Sequence, residues 1–287
     1  MNQASEFDPQ DFKRGALQQW QVAATGWNDH APSIRPWLRA ATDAMLGMAG
    51  VATGARVLDV AAGAGDQTLD IAARVGPHGS VLATDLSPAI LEFARANAER
   101  AGHRNVRTQV ADGERLGVDE AGFDAAVCRL GLMFFPDPLQ GLREMHRALK
   151  PGGGICTMVF STPQANPCVA TLMATALQHA GLPPQDPYRP GGLLSLGKPG
   201  LIDGLFRAAG FRDVATTKMS APFRLASARA YLDFVRASAS PIQQILAGLE
   251  PAGREAAWTA MAERLGAFDT AAGWEGPNEL LLTAARR

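Results

Sequence analysis

No stretch of this 287-residue chain approaches the ~20 consecutive apolar residues that a membrane-spanning helix requires. Charge of one sign is not in excess: 27 Lys and Arg face 28 Asp and Glu, for a net charge of −1. Without a basic face there is no electrostatic footprint for nucleic acid. Cysteine is scarce. Cys128, Cys156 and Cys168 form no close pair, so a disulfide framework is excluded and a reduced, cytoplasmic setting is expected. The opening MNQASEFDPQDFKRG is polar and has no basic patch leading into an apolar run, which does not read as a secretory signal. Internal repeats and low-complexity tracts are also lacking. The chain is instead 47% hydrophobic, enough to bury a large core in one embellished domain.

Segments that read as strands alternate with segments that read as helices. Asp8 to Gly50 reads as helices, with Trp20, Trp27 and Trp37 among Ala, Leu and Met. Strands are then expected at Ala55–Ala61, Ser80–Leu86, Val106–Asp112, Phe123–Leu130 and Ile155–Phe160. Helices fall between them at Asp66–Val75, Pro88–Ala101 and Pro138–Leu149. Ser87 and Pro88 suit an N-cap and first helical position. Lys150-Pro151-Gly152-Gly153-Gly154 is a strong helix stop. Strands such as Val57-Leu58-Asp59-Val60 lack polar alternation, as expected of a parallel sheet covered on both faces. After Phe160 the regularity breaks. Helices at Val169–Ala180, Pro199–Ala209, Ala228–Leu249 and Arg254–Phe268, and strands at Arg212–Met219 and Glu279–Ala284, are the remaining candidates.

The most informative run is Val57-Leu58-Asp59-Val60-Ala61-Ala62-Gly63-Ala64-Gly65-Asp66, followed about twenty residues later by Val81-Leu82-Ala83-Thr84-Asp85. An apolar strand ends in a glycine turn that opens a helix, and the next strand ends in an acid. Glycines let a ligand approach bare backbone, and the second acid accepts hydrogen bonds from ribose hydroxyls. A dinucleotide turn wants G-x-G-x-x-G, but the third position here is Thr68. Pyrophosphate also avoids carboxylates, and Asp59 and Asp66 flank this turn. Two acids suit a ligand with a cationic portion.

At these residues the chain resembles the class I S-adenosylmethionine-dependent methyltransferases, most closely the ubiquinone and menaquinone biosynthesis type. The resemblance implies a Rossmann-like, doubly wound, mostly parallel seven-stranded α/β sheet with an antiparallel last strand. It implies a helical N-terminal lid over 1–50, a cofactor-binding core over 51–160, and a remainder over 161–287 with lid insertions at about 161–197 and 226–275. S-adenosylmethionine is the cofactor it implies. Asp59 would hold the methionine amino group, directly or through water. Ala61, Gly63 and Gly65 would line the turn, Asp85 would take the ribose hydroxyls and Leu86 would flank the adenine. Asp112, with Gly113, would read the adenine amino group. The backbone of Arg129 would meet the methionine portion, its side chain free to pair with a carboxylate such as Asp59.

Methyl transfer to a hydroxyl benefits from a general base. Of five histidines, His30 in Trp27-Asn28-Asp29-His30 is the candidate, against a plain helix-boundary turn. Trp20, Trp27, Met133, Phe134, Phe135, Phe160, Tyr188, Tyr231 and Phe234 fall in segments expected near the ligand edge; Trp27, Met133, Phe134, Phe160 and Tyr188 are the foremost pocket candidates. They suit a flat or greasy acceptor, though ordinary lid packing explains them as well. No metal is expected. A small hydrophobic or aromatic acceptor is expected, with oxygen placed before carbon as the methylated atom. A homodimer stays open, as do two other readings: a nicotinamide-dependent oxidoreductase and a non-catalytic cofactor-binding module.

Overall fold

The structure is a computed structural model that describes residues 8–238 and 240–287. Two helices come first, α1 (Pro9–Asp29) and α2 (Ala31–Met48). The Asp8 carboxylate caps α1 by accepting from the Gln10 and Asp11 amides, and Pro9 occupies the first turn, where its missing N–H costs nothing. The first seven residues of the expected lid and opening segment lie outside the described residues.

Alternation follows: β1 (Arg56–Val60), α3 (Asp66–Val75), β2 (Ser80–Asp85), α4 (Pro88–Arg100), β3 (Val106–Val110), β4 (Phe123–Arg129), α5 (Pro138–Ala148), β5 (Leu149–Phe160), α6 (Pro167–His179), α7 (Leu201–Ala208) and β6 (Arg212–Ser220). The remainder is β7 (Phe223–Leu225), α8 (Ala228–Ser238), α9 (Ser240–Leu246), α10 (Pro251–Leu265), β8 (Asp269–Thr270), β9 (Gly273–Gly276) and β10 (Glu279–Arg286). Seven strands form one sheet in the order β3-β2-β1-β4-β5-β10-β6. β10 is antiparallel to both of its neighbours and the other pairs are parallel. Strand order reverses between β1 and β4, the crevice where open α/β sheets bind ligands. Buried aliphatic residues such as Leu58, Val127 and Met158 fill the sheet on both faces.

Three features depart from the sequence expectation. The Lys150–Gly154 stop ends α5 but also belongs to β5, where Gly154 pairs with Arg286. A Cβ on Gly154 would stand 2.1 Å from the Ala49 carbonyl oxygen, so the bare backbone admits the end of α2. The expected insertion at 226–275 is not only helical: β7, β9 and β8 form a small second sheet. Its strands are too short to show a periodic pattern. Third, Ala228–Leu249 divides into α8 and α9. Among the described residues no helix is long and apolar enough to cross a membrane.

Candidate cofactor and acceptor site

Strand β1 ends on a turn with Ala61 (φ 54°), Gly63 (φ 58°) and Gly65 (φ 84°) all left-handed. Only glycine adopts this conformation freely, and Ala61 there carries strain of order 1 kcal/mol. The Ala62 N–H donates to the Thr84 carbonyl at 2.9 Å, pinning the turn to β2. Asp85 closes β2. One of its oxygens accepts the Gly63 N–H and the other the Ser87 N–H, both at 3.0 Å. Burial raises its pKa, against backbone N–H donors from Ser87, Gly63 and Leu86 that favour the carboxylate.

Beside this turn opens one cavity. Ala61, Gly63, Asp85, Leu86, Asp112, Gly113 and Arg129 line it, and so do Trp27, Met133, Phe134 and Phe160. Trp20, Phe135, Tyr231 and Phe234 complete its aromatic wall. Trp20 meets Trp27 and Phe134 edge-on at 5.8 and 5.7 Å, and Trp27 lies 6.1 Å from Phe234. Helix α1 thus presses one aromatic stripe onto the mouth of the sheet.

Four expected site residues are not on this wall. Asp59 is fully buried in β1; it accepts from Gln67 Nε2 at 3.0 Å and Thr68 Oγ1 at 2.6 Å. Gln67 stands on the wall instead. Gly65 faces α4: a Cβ there would stand 2.9 Å from Ala94 Cα, so its role is close packing. His30 joins α1 to α2, and its ring lies edge-on to Phe234 at 5.4 Å. That is the helix-boundary turn weighed against a base. Tyr188 lies in the Asp186–Arg189 turn, where its amide donates to the Asp186 carboxylate, away from the wall.

Burial drives the Asp59 carboxyl up to about 6, against the opposing hydrogen bonds and the Arg129 charge. A carboxyl whose folded pKa lies above its unfolded value of 3.8 stabilises the fold fully below that value. The contribution is lost as pH rises from about 4 through 6, by roughly 3 kcal/mol. Asp59→Asn should therefore flatten the pH dependence of stability between 4 and 6 in the cofactor-free protein. Urea unfolding across that range checks this, and an unchanged slope would show that Asp59 does not titrate there.

Two charge clusters were not legible in the sequence. Arg129 Nη2 contacts Asp66 at 2.6 Å, both side chains nearly sealed from solvent, and Nη1 donates to Thr42 in α2 at 3.0 Å. Arg35 approaches the same carboxylate at 3.4 Å. The Arg129 partner is thus Asp66 rather than Asp59. At the far end of the cavity Lys13 of α1 bridges Asp112 and Glu114, at 2.6 Å to each. Gly113 between them carries the Phe135 ring, which a Cβ would meet at 2.1 Å. Cys128 is buried and its thiol is pushed up to about 12, no nucleophile at neutral pH.

Residues 35–177 match the model of the ubiE/COQ5 methyltransferase family. The demethylmenaquinone methyltransferase of Deinococcus radiodurans is 33% identical over 187 residues, 62% of this chain and 75% of that protein. A ubiquinone/menaquinone biosynthesis C-methyltransferase UbiE of Idiomarina loihiensis is 38% identical over 130 residues, 45% of this chain and 50% of its own length. Most such matches span about half of the relative. Among solved structures, the cyclase SpnF superposes with a TM-score of 0.60 at 20% identity, covering 94% of this chain and 95% of that one. That likeness carries the fold alone, since one fold hosts unrelated reactions. The nicotinamide and non-catalytic readings of the turn give way, and the chain belongs to the ubiE/COQ5 methyltransferase family, as an enzyme that takes its methyl group from S-adenosylmethionine.

Proposed function

We propose that the chain methylates a small, oxygen-bearing aromatic ring, and that it does so at ring carbon. The observation that carries this is the cavity wall, aromatic along one side and without a histidine among the described residues. The sequence placed oxygen before carbon with His30 as its base, and His30 stands off the wall. Curated relatives carry C-methyltransferase in their names. A ring hydroxyl raises electron density on neighbouring carbons, so a wall that orients the ring sets one carbon to displace the methyl from sulfonium, with S-adenosylhomocysteine as leaving group. The ring then sheds the proton of the methylated carbon to solvent on release and regains its aromaticity.

The donor set fits S-adenosylmethionine. Asp85 has lone pairs beyond those given to Gly63 and Ser87, enough for two ribose hydroxyls. Ala61 and Gly63 offer bare backbone as a floor, and Leu86 offers an apolar edge for adenine. Asp112 would accept the adenine amino group, with Gly113 beside it. Gln67, anchored on Asp59 through Nε2, would offer its carbonyl oxygen to the methionine ammonium, with Asp59 acting through Gln67. The backbone of Arg129 would meet the methionine portion. Bound there, the cofactor supplies a methyl group already activated on sulfonium. Residues of α1 and α8, including Trp20, Trp27 and Phe234, close the acceptor side, which supports reading 1–50 and part of 226–275 as lid.

A test is turnover with methyl-labelled cofactor against naphthalenediols, simple phenols, amines and thiols. The expected product carries the label on a ring carbon of a dihydroxylated ring. Label on oxygen, nitrogen or sulfur would overturn the proposal.

A further inference from the structure

The acceptor end of the cavity is almost wholly apolar, so its few free polar atoms carry the specificity. Tyr231 of α8 is the one with the clearest demand. It is 5% exposed and lines the cavity. Its ring is held on three sides: stacked on Trp274 at 4.6 Å, edge-on to Phe223 at 5.6 Å and tilted against Phe234 at 6.4 Å. Yet its hydroxyl has no hydrogen-bond partner among the described residues, and it is not one of the sealed, unsatisfied atoms, which are Asp66 Oδ1 and Thr157 Oγ1. A tyrosine hydroxyl this buried ordinarily finds a partner. Three aromatic rings fix the direction in which it points.

A neighbour supports the same reading. Asn278 is 4% exposed and lines the same cavity. Its Nδ2 donates to the Gly276 carbonyl at 3.1 Å, which leaves Oδ1 as a second acceptor without a partner among the described residues. Asn278 is tied to the segment whose Phe223 meets Tyr231 edge-on: its backbone carbonyl accepts the Ala221 N–H at 2.8 Å, two residues before Phe223. A donor and an acceptor in an apolar wall match one hydroxyl, which both accepts and donates.

We infer that Tyr231 is a specificity-determining residue whose O–H donates a hydrogen bond to a ring hydroxyl of the acceptor, with Asn278 Oδ1 accepting a hydrogen bond from that hydroxyl. This rests on the oxygen-bearing aromatic acceptor proposed above. Tyr231 acts as a neutral donor and not as a base, because burial raises its pKa. A pocket that hydrogen-bonds a hydroxyl rejects the ring lacking it, since its own polar groups are then stranded.

The experiment is equilibrium dialysis of 1-naphthol and naphthalene against the full chain saturated with S-adenosylhomocysteine, for the native protein and Tyr231→Phe. Phenylalanine keeps the ring packing, and an unchanged melting temperature verifies that. The native protein is expected to prefer 1-naphthol by roughly five- to tenfold, and Tyr231→Phe to lose that preference while binding naphthalene unchanged. Asn278→Ala should lower the preference without abolishing it. A preference that survives Tyr231→Phe overturns the role of Tyr231 and leaves the aromatic acceptor standing. Failure of both probes to bind the native protein overturns the aromatic acceptor itself, and this inference with it.

Discussion

Asp85→Ala is expected to weaken binding of S-adenosylhomocysteine by roughly 1–3 kcal/mol, about fivefold to 150-fold. The substitution strands two ribose hydroxyls that a charged acceptor would satisfy. It also frees the Gly63 and Ser87 N–H groups, each held at 3.0 Å, so the left-handed glycine turn loses its tie to β2. Asp85→Asn separates the two effects. It keeps the shape but turns one oxygen into a donor facing a donor, and its loss should fall between alanine and native. Titration calorimetry gives both numbers. Native affinity in Asp85→Ala would leave the ribose without its reader and remove the basis for placing the cofactor here.

The second large effect concerns stability. Arg129→Met should cost about 3–5 kcal/mol, because it leaves a buried carboxylate uncompensated. Asp66 has one oxygen with no hydrogen bond in the native protein, and its remaining cation, Arg35, stands 3.4 Å away and is partly exposed. Adding Asp66→Asn to Arg129→Met should recover most of the loss, since the charge is then gone with its partner. Denaturant unfolding of the cofactor-free protein measures both. A single-variant loss below about 1 kcal/mol would put the pair in the class of exposed ion pairs, which contribute little.

What the sequence disclosed and what it withheld divide by distance along the chain. The turn at Gly63, the acid at Asp85 and the Ser87 cap on α4 are local: each needs only neighbours within a few residues, and Ser87 does accept from Ile90 N. The parallel core of the sheet needed only the alternation of strands and helices, and its antiparallel last strand came with the family resemblance. By contrast, Arg129 meets Asp66 and Thr42 across 63 and 87 residues, and Lys13 meets Asp112 across 99. No local period marks such pairs. Tyr188 and His30 stand off the cavity wall: residue type and neighbourhood were suggestive while orientation was not readable. Tyr188 went into a local turn and His30 into a helix junction. Gly65 looked like a ligand contact, but its glycine answers to Ala94.

The cavity draws its lining from different parts of the chain. The wall around Asp85 comes from one continuous stretch, from Ala61 to Pro136, whereas Trp20, Leu172, Tyr231 and Asn278 arrive from four separate places. Mutations on α6 and α8 can therefore retune the proposed acceptor side while the donor side stays constant. A lineage built this way diversifies its products without relearning how to hold its fuel.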